Sequence, residues 1–278
     1  MANLIGTPLI QQPTRSAAAL SFFDLFGTPD SAYSLRDLSG ENPNVIRVRR
    51  SSDNVEQDFN ALQIVNGDLI TFTGLNDGFV VTWYDQSPNA NHATQISAAN
   101  QPSIVTSGSV LLENGRPKID FSSSGQKFLS LTNQLSTPRS VFILATDNKG
   151  NSFPYLYGNS LGGVSDILCL GLLSSSDTIR NFLGTTNSYI DAGYGGNQSL
   201  FTSIMDTSNA FLGRNGTLGT ATNTATATSS RTENRIGQGT SPETKIDGSI
   251  QEIIDYAANK NSLRESIEAN INNYYTIY

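Results

Sequence analysis

Residues 79–95 read FVVTWYDQSPNANHATQ and contain the only Trp of the chain, Trp83, and its only His, His92. The first part is β-branched and aromatic, as in a strand, and the second part is a run of residues that form turns. This order of strand and then turn recurs along the chain as far as residue 257. Many short strands separated by turn residues predict an all-β fold, either a sandwich or a jelly roll.

The predicted strands are bounded by Gly, Asn, Asp, Ser and Pro. In NVIRVRR, Ile46 and Val48 alternate with Arg47 and Arg49, which is typical of a half-buried strand. The Thr-Ala alternation of residues 219–230 fits an exposed edge strand, a long hairpin or a loop. The other predicted strands are LITFT (69–73), FVVTWY (79–84), SVLLE (109–113), PKIDF (117–121), KFLSL (127–131), SVFILAT (140–146), PYLYG (154–158), DILCLGLL (166–173), TIRNFL (178–183), SLFTSIM (199–205), NAFLGRN (209–215) and GSIQEIIDYA (248–257).

A short helix is predicted near the N-terminus, over PDSAYSLRDLSG (29–40). Asp30 can cap its first free N–H groups, and Gly40 supplies a left-handed stop. Leu35 and Leu38 would lie on one face of this helix.

A second helix is predicted at the C-terminus, where Ser262 and Glu265 form a capping box in SLRE. Apolar residues then recur at helical spacing and indicate one face that packs against the sandwich. We expect this helix to close one edge or end of the sandwich. The predicted stripe consists of Leu263, Ile267, Ile271 and Tyr274.

The predicted domain organisation is an extended N-terminal arm, residues 1–27, followed by one β-sandwich domain, residues 28–278. MANLIGTPLIQQPT has two prolines and no periodicity, whereas RSAAALSFF is apolar enough to pair or pack. Two interpretations of the arm stay open. It is either a frayed terminus or a segment that docks on a neighbouring subunit.

The composition excludes several classes of partner. The net charge is −7 with a pI near 4.7, which argues against binding nucleic-acid phosphates or an anionic membrane surface. Cys169 is the only cysteine and is expected to be a small buried hydrophobe. The N-terminal sequence has no basic start followed by a long apolar core, so we expect no signal peptide and synthesis in a reducing cytoplasm.

The available side chains also limit the chemistry. One His and one Cys exclude a zinc site of the usual kind, and there is no Gly-x-Ser-x-Gly turn, phosphate loop or dinucleotide fingerprint. Carboxylate chemistry remains, and glycoside hydrolysis is its main example because it uses a pair of Asp or Glu residues.

Two stretches carry a resemblance to a known family. SAYSLRDLSGENPNVIRVRRSSDNVEQDF (31–59) and TWYDQSPNANHATQ (82–95) resemble the catalytic domain of the fungal-type α-L-arabinofuranosidase B family. The resemblance extends more loosely over residues 28–278, through YLYGN (155–159) and the closing segments from NRIGQG (234–239) onward. It implies a concanavalin-like jelly-roll sandwich and the cleavage of arabinofuranosides.

The catalytic positions of that family are not kept here. Its nucleophile is a Glu in an Asp-Leu-Glu-Asn stretch, but this chain has no Glu between Glu113 and Glu233. Its acid is an Asp directly after Ile-Gly-Gly, where this chain has Gly239. We therefore expect no catalytic residue and no enzyme activity. The alternative is a glycoside hydrolase with relocated carboxylates, for which the candidates are Asp166, Asp177 and Asp206.

The same two stretches also resemble concanavalin-like and laminin-G-like domains of structural proteins in tailed bacteriophages. That resemblance implies a virion component, such as a capsid decoration, head fibre or tail protein, assembled in the host cytoplasm. The arm would bind other virion proteins, and a homo-oligomer, with a trimer favoured, would be expected. A free lectin-like module that binds glycans is a further alternative.

Two interpretations apply to the loop of residues 84–92. In the first, it is a rigid turn in which Asp85 holds the backbone and His92 bonds to backbone. In the second, it binds a sugar or Ca²⁺, which is the only cofactor we consider, and no other metal site is expected. The candidate ligand-binding residues are Trp83, Asp85, Asn89, Asn91 and His92.

The arginines of IRVRRSSDN have two interpretations as well. Arg47, Arg49 and Arg50 could bind a carboxylate of a partner. Alternatively, they pair within the fold with one of the nearby acids, which are Asp53, Glu56 and Asp58.

Overall fold

The computed structural model shows two layers of antiparallel strands packed face to face, so the predicted all-β sandwich is confirmed. None of the described helices combines the length and apolar character that crossing a membrane requires. The structure describes residues 20–122, 125–132, 135, 138–148, 154–159, 168–173, 178–183, 186–191, 196–206, 209–219, 222–223, 234–239 and 244–278.

Most of the described elements are strands. The helices are α1 (Phe22–Phe26), α2 (Ala61–Val65), α3 (Asp68–Thr73) and α4 (Arg264–Tyr275). The strands are β1 (Ser31–Ser34), β2 (Asn44–Arg50), β3 (Glu56–Asn60), β4 (Gly78–Trp83), β5 (Ala93–Thr94), β6 (Ser103–Thr106), β7 (Ser109–Val110), β8 (Leu112–Glu113), β9 (Arg116–Pro117), β10 (Ile119–Asp120), β11 (Leu129–Leu131), β12 (Arg139–Asp147), β13 (Tyr155–Asn159), β14 (Leu168–Leu173), β15 (Thr178–Leu183), β16 (Thr186–Asp191), β17 (Ser199–Met205), β18 (Asn209–Arg214), β19 (Thr217–Leu218), β20 (Thr222–Asn223), β21 (Asn234–Ile236) and β22 (Gly248–Tyr256).

The first layer runs in the order β1, β22, β12, β17 and β18, with β19 and β20 paired to β18. Every residue of β12 and β22 is buried, because these central strands are covered on both faces. The pairing of β12 with β22 shifts register between Leu144 and Ala145, which marks a β-bulge.

The second layer runs in the order β3, β2, β4, β5, β11, β21, β13, β14, β15 and β16. The two layers are joined at one side by hydrogen-bonded strands. There β6 pairs with β4 and with β10, and β10 in turn pairs with β22. The second layer presents one face to the core and the other face outward.

The main core lies between the layers. Strand β12 contributes Val141 and Ile143 from the first layer, and β21 contributes Ile236 from the second. Burial of apolar surface on this scale is the dominant stabilising term in folding. Helices α2 and α3 add Ile64 and Leu69 to the same core.

A second apolar cluster covers the outward face of the first layer. Helix α1 contributes Phe22 and Phe26, and helix α4 contributes Ile267, Ile271 and Tyr275. Since α1 lies within residues 1–27, the last part of the predicted arm belongs to the folded domain. Residues 1–19 lie outside the described residues.

The prediction of a helix over residues 29–40 is wrong. Residues Ser31–Ser34 form β1, which pairs antiparallel with β22 and is buried along its whole length. Leu35 packs in the core between the layers and Leu38 in the outer cluster, so they face opposite sides and not one helical face. Gly40 does take the predicted positive φ, at 80°. The short N-terminal helix of the fold is α1.

The prediction of a strand for LITFT is also wrong, because these residues form α3. Leu69 and Thr73 are one helical turn apart and both are buried, and the Thr73 hydroxyl donates to the Leu69 carbonyl at 3.1 Å. Gly67 and Gly74 flank the helix as its N-cap and C-cap, and their φ values of 101° and 59° mark where the helical backbone begins and ends.

The C-terminal helix is confirmed, but its start and its buried face differ from the prediction. It begins at Arg264, after a 3₁₀ turn that contains Ser262, and no side chain caps it. Glu265 instead contacts Arg264 at 2.8 Å. Ile267 and Ile271 are buried as predicted, and the stripe continues through Tyr275, whereas Leu263 is exposed.

Two further predictions fall largely outside the described residues. Of the Thr-Ala run at residues 219–230, the structure describes Gly219 and the pair Thr222–Asn223, which forms β20 beside β18. The side chain of Cys169 lies outside the described residues, although its backbone belongs to β14.

Candidate functional site

The loop after β4 is held by the carboxylate of Asp85. Its Oδ1 accepts hydrogen bonds from the backbone N–H of Ala32 at 2.8 Å and of Ser87 at 2.9 Å. Its Oδ2 accepts from the Ser87 hydroxyl at 2.7 Å and from the backbone N–H of Asn91 at 2.9 Å. Both oxygens are therefore occupied by protein donors, and the predicted structural role of Asp85 is confirmed.

His92 also bonds to backbone, as the rigid-loop interpretation predicts. Its Nδ1 accepts a hydrogen bond from the backbone N–H of Asp85 at 3.1 Å. Its ring meets the ring of Tyr84 edge-on, with 4.9 Å between the centroids. The amide groups of Asn89 and Asn91 donate to the Asp30 carbonyl at 2.9 and 3.3 Å, so they too hold the loop in place.

The ring of Trp83 does not reach the surface. The residue is 0% exposed, and its ring packs against that of Tyr33 in the main core, with 5.8 Å between the ring centroids. This burial leaves no open face on which a sugar could stack, which corrects that part of the ligand-binding hypothesis. Sugar binding through the exposed side of the loop, at Asn89 and His92, stays a prediction. Among the described residues, no group of three or more His, Cys, Asp or Glu side chains could hold a metal ion.

Two of the three arginines of β2 pair with acids of the fold. The Arg47 guanidinium makes two hydrogen bonds to Asp58, at 2.7 and 2.9 Å, and Arg50 contacts Asp53 at 2.7 Å. For these two arginines the structural interpretation is confirmed. Arg49 differs, because its partners are amide oxygens and an aromatic ring.

A row of polar residues crosses the outward face of the second layer. Register pairs Arg47 with Thr82, Thr82 with Thr94, Thr94 with Ser130, and Ser130 with Arg235. Directly opposed residues point to the same side of a sheet, so these side chains lie on one face. We call this row and the two rings beside it, Phe79 and Phe128, the polar face.

Cations lie over both rings of the polar face. The Arg49 guanidinium is 4.9 Å from the Phe79 centroid, and the Lys127 ammonium is 5.7 Å from it. The Arg235 guanidinium is 4.3 Å from the Phe128 centroid. Both rings are half-buried. Sequence reasoning missed this arrangement, because its members come from β2, β4, β21 and the segment before β11.

Gly239, where the resemblance to the arabinofuranosidase domain would imply an acid, lies beside Arg235 of the polar face. Its carbonyl accepts a hydrogen bond from Arg235 at 3.0 Å. Asp58 pairs with Arg47 at one end of the polar row. Its carboxylate accepts a hydrogen bond from Arg47 at 2.7 Å and another from the Tyr84 hydroxyl at 2.8 Å. The bond from Arg47 is the main reason that the pKa of Asp58 lies below its usual range.

Of the three aspartates named as candidates for relocated carboxylates, the structure describes only Asp206. Asp206, directly after β17, accepts a hydrogen bond at 2.6 Å from the backbone N–H of Asn209, the first residue of β18. Asp166 and Asp177 lie outside the described residues.

Two carboxylates share one arginine, and one of them, Asp255, is buried inside the first layer while the other, Asp30, is partly exposed. Arg139 contacts Asp30 at 3.2 Å and also bonds Asp255, which in turn accepts from the Tyr157 hydroxyl at 2.6 Å. Burial raises the pKa of Asp255, and Arg139 opposes that effect. Asp255 is 0% exposed, whereas the Asp30 side chain is 25% exposed and lines an open cavity beside Asn89 and Lys260. The buried half of this cluster supports the fold.

No protein-family model matches this sequence, and no curated protein matches it. Solved structures do match its fold. A mutant GH54 α-L-arabinofuranosidase soaked with 4-nitrophenyl α-L-arabinofuranoside has a TM-score of 0.70 and 15% identity, over 90% of this chain and 64% of that chain. The same enzyme class soaked with a cyclic sulfate inhibitor has a TM-score of 0.68 and 14% identity, over the same shares of the two chains.

An arabinofuranosidase complexed with arabinofuranosyl-α-1,2-xylobiose is similar as well, with a TM-score of 0.66 and 15% identity. This chain thus spans 64% of the length of the arabinofuranosidase chains that it matches. Likeness at this level of identity concerns the fold, and it confirms the predicted concanavalin-like β-sandwich.

Proposed function

We propose that this chain is a non-enzymatic β-sandwich protein that binds carbohydrate on its polar face. The observation that carries the proposal is the cross-strand row of Thr94, Ser130 and Arg235 beside two half-buried rings. Sugars offer hydroxyl groups, which hydrogen-bond to such side chains, and C–H surfaces, which pack on aromatic rings. The three arabinofuranosidase structures with this fold were solved with sugar-like ligands or an inhibitor, which supports the choice of ligand class.

The side chains at the positions that the resemblance marks as catalytic support binding without cleavage. Hydrolysis of a glycoside needs two carboxyl groups that flank the bond, about 5–5.5 Å apart in retaining enzymes and about 6.5–9.5 Å apart in inverting enzymes. Here Gly239 replaces the acid, and Asp58 is already held by Arg47 and Tyr84. Neither a glycine nor a carboxylate engaged in this way can protonate a leaving group.

The proposal extends to the setting in which the chain works. We infer that it is a virion component of a tailed bacteriophage, and that its N-terminal residues attach it to other virion proteins, with a homotrimer as the favoured state. Support comes from the resemblance of its sequence to phage structural domains. It also comes from α1, which packs in the outer cluster. This packing would anchor the C-terminal end of an arm that precedes Leu20.

Glycan binding by the full chain tests the main proposal. We expect selective binding on a glycan array, and loss of that binding in Thr94→Gln/Ser130→Gln, which fills the row with longer neutral side chains. Thr106→Gln is the matched control, because Thr106 is an exposed strand residue on β6, outside the row. Turnover of arabinofuranosides or arabinoxylan would contradict the proposal and favour the hydrolase with relocated carboxylates.

Deletion of residues 1–19, which leaves α1 in place, tests the setting. We expect the truncated protein to fold and to bind glycans but to be missing from assembled particles. Normal incorporation into particles would reject the docking role. Glycan binding by a protein that never enters particles would instead favour a free lectin-like module.

A further inference from the structure

Two cations converge on one ring at the polar face. The Arg49 guanidinium and the Lys127 ammonium both lie over Phe79, at 4.9 and 5.7 Å from its centroid. Burial and, next, the neighbouring charge of Arg49 lower the pKa of Lys127, as expected for two like charges held close together. The chain as a whole carries a net charge of −7, so this local cluster of positive charge is opposite in sign to the charge of the whole chain.

Neutral groups hold the two cations in place. Arg49 donates from Nε to the Gln101 side-chain oxygen at 2.7 Å and from Nη1 to the Asn54 side-chain oxygen at 2.8 Å. Lys127 donates to the Ala99 carbonyl at 2.8 Å. Within the part of the chain that the structure describes, no carboxylate lies within ion-pair distance of either cation. Arg49 Nη2 and two hydrogens of the Lys127 ammonium remain available as donors.

We propose that Arg49 and Lys127 bind an oxyanion carried by a sugar, so that the polar face selects acidic saccharides over neutral ones. The inference rests on the proposed carbohydrate-binding function and names the class of sugar. A planar guanidinium and a nearby ammonium are the donors that proteins use for carboxylate and sulfate groups. Phe79 contributes an apolar surface for the sugar ring that carries the anion.

The test compares three tetrasaccharides with the full chain by titration calorimetry. The probes are tetragalacturonic acid, its neutral methyl ester, and a sulfated galactose tetramer, which separates carboxylate from sulfate as the source of the anion. We expect the acid or the sulfated tetramer to bind at least about tenfold more tightly than the ester, as for one charge-assisted hydrogen bond. This preference should shrink between about 50 and 300 mM salt, because salt screens the charge of the half-buried Lys127.

Lys127→Gln should raise the Kd for the preferred acidic tetramer about tenfold and leave the Kd for the ester unchanged. Lys118→Gln is the matched control. It removes the same charge, and its partner is Glu113, at 3.6 Å, away from the polar face. The control should bind all three tetramers like the parent protein. Arg49→Lys keeps the charge but loses the planar guanidinium, so it should raise the Kd for the acidic tetramer and leave the Kd for the ester unchanged.

Three results would overturn the inference in different ways. Equal binding of acid, sulfate and ester, unchanged in Lys127→Gln, would reject the anion site and leave carbohydrate binding intact. Failure to bind any glycan, on the array or in solution, would reject the proposed function and this inference together. Binding of single-stranded DNA as tightly as the acidic tetramer would show a site for polyanions in general and not for sugars.

Discussion

Asp85 accepts a hydrogen bond from the backbone N–H of Ala32 at 2.8 Å, and this bond ties the loop after β4 to the first strand of the opposite layer. The same carboxylate binds two further backbone N–H groups and one hydroxyl within its own loop. The most conspicuous polar segment of the sequence therefore joins the two layers of the sandwich at one end.

Asp85→Ala should lower the free energy of unfolding by about 2–4 kcal/mol. It removes the acceptor of several buried donors, and each unsatisfied donor costs about 1–3 kcal/mol, with partial relief from water at the loop surface. Urea unfolding followed by fluorescence measures the change. Glu41→Ala, at an exposed position, is the control and should stay within about 0.5 kcal/mol of the parent.

Arg36 and Glu252 form a buried ion pair that joins the segment after β1 to β22. The guanidinium makes two hydrogen bonds of 2.8 Å to Glu252, which is 1% exposed. Arg36→Met should destabilise the fold by about 3–5 kcal/mol, because it leaves a buried carboxylate without its charged partner and with only the Ser34 and Tyr275 hydroxyls as donors. Arg47→Met, which breaks the more exposed pair with Asp58, should cost about 1 kcal/mol or less in the same assay. Similar costs for both variants would contradict this assignment.

Gly237 should not tolerate a side chain. Its φ is 87°, and an added Cβ would clash with the Phe121 ring in the main core. Gly237→Ala should therefore cost more than about 3 kcal/mol, since overpacking adds to the backbone strain. Gly115→Ala separates the two effects, because Gly115 has a φ of 72° and nothing within 4 Å of an added Cβ. It should cost only about 1 kcal/mol.

The Asp58 carboxylate should contribute to the acid sensitivity of the fold. Its pKa in the folded protein lies below the value of about 3.9 expected for an unfolded chain, mainly because of its bond from Arg47. Its stabilisation is therefore present above about pH 4 and is lost as the pH falls through the lower, folded-state pKa.

Unfolding free energies at about pH 6 and pH 2.5 measure this contribution. The parent protein should lose up to about 1 kcal/mol more than Asp58→Asn over that interval, since the pair is partly exposed and screened by solvent. Identical losses for the two proteins would show that the pair adds nothing to stability.

The sandwich could be predicted from the sequence because its strands carry their own signals. Strand β12 has a continuous apolar and β-branched run from Val141 to Thr146, and β22 carries Ile250, Ile253 and Ile254. The local signals failed where a distant partner decides the conformation. Asp30 and Gly40 look like helix boundaries, but Ser31–Ser34 pairs with β22 near the other end of the chain.

The polar face could not be predicted, because no single stretch of sequence contains it. Arg49 and Lys127 become neighbours only when β2, β4, β5 and β11 take adjacent places in the second layer. The loop around Asp85 attracted attention for its composition, since polar turn residues and the only His occur there together. Its hydrogen bonds show that this composition serves the backbone, while the exposed sides of Asn89 and His92 stay candidates for contact with a ligand.

Titration of the full chain with oligosaccharides, combined with product analysis of the same samples, tests the central claim most directly. The account predicts saturable binding that Thr94→Gln/Ser130→Gln abolishes and Thr106→Gln retains, with every bound oligosaccharide recovered intact. Released arabinose or shortened oligosaccharide, lost when one aspartate is changed to asparagine, would contradict it.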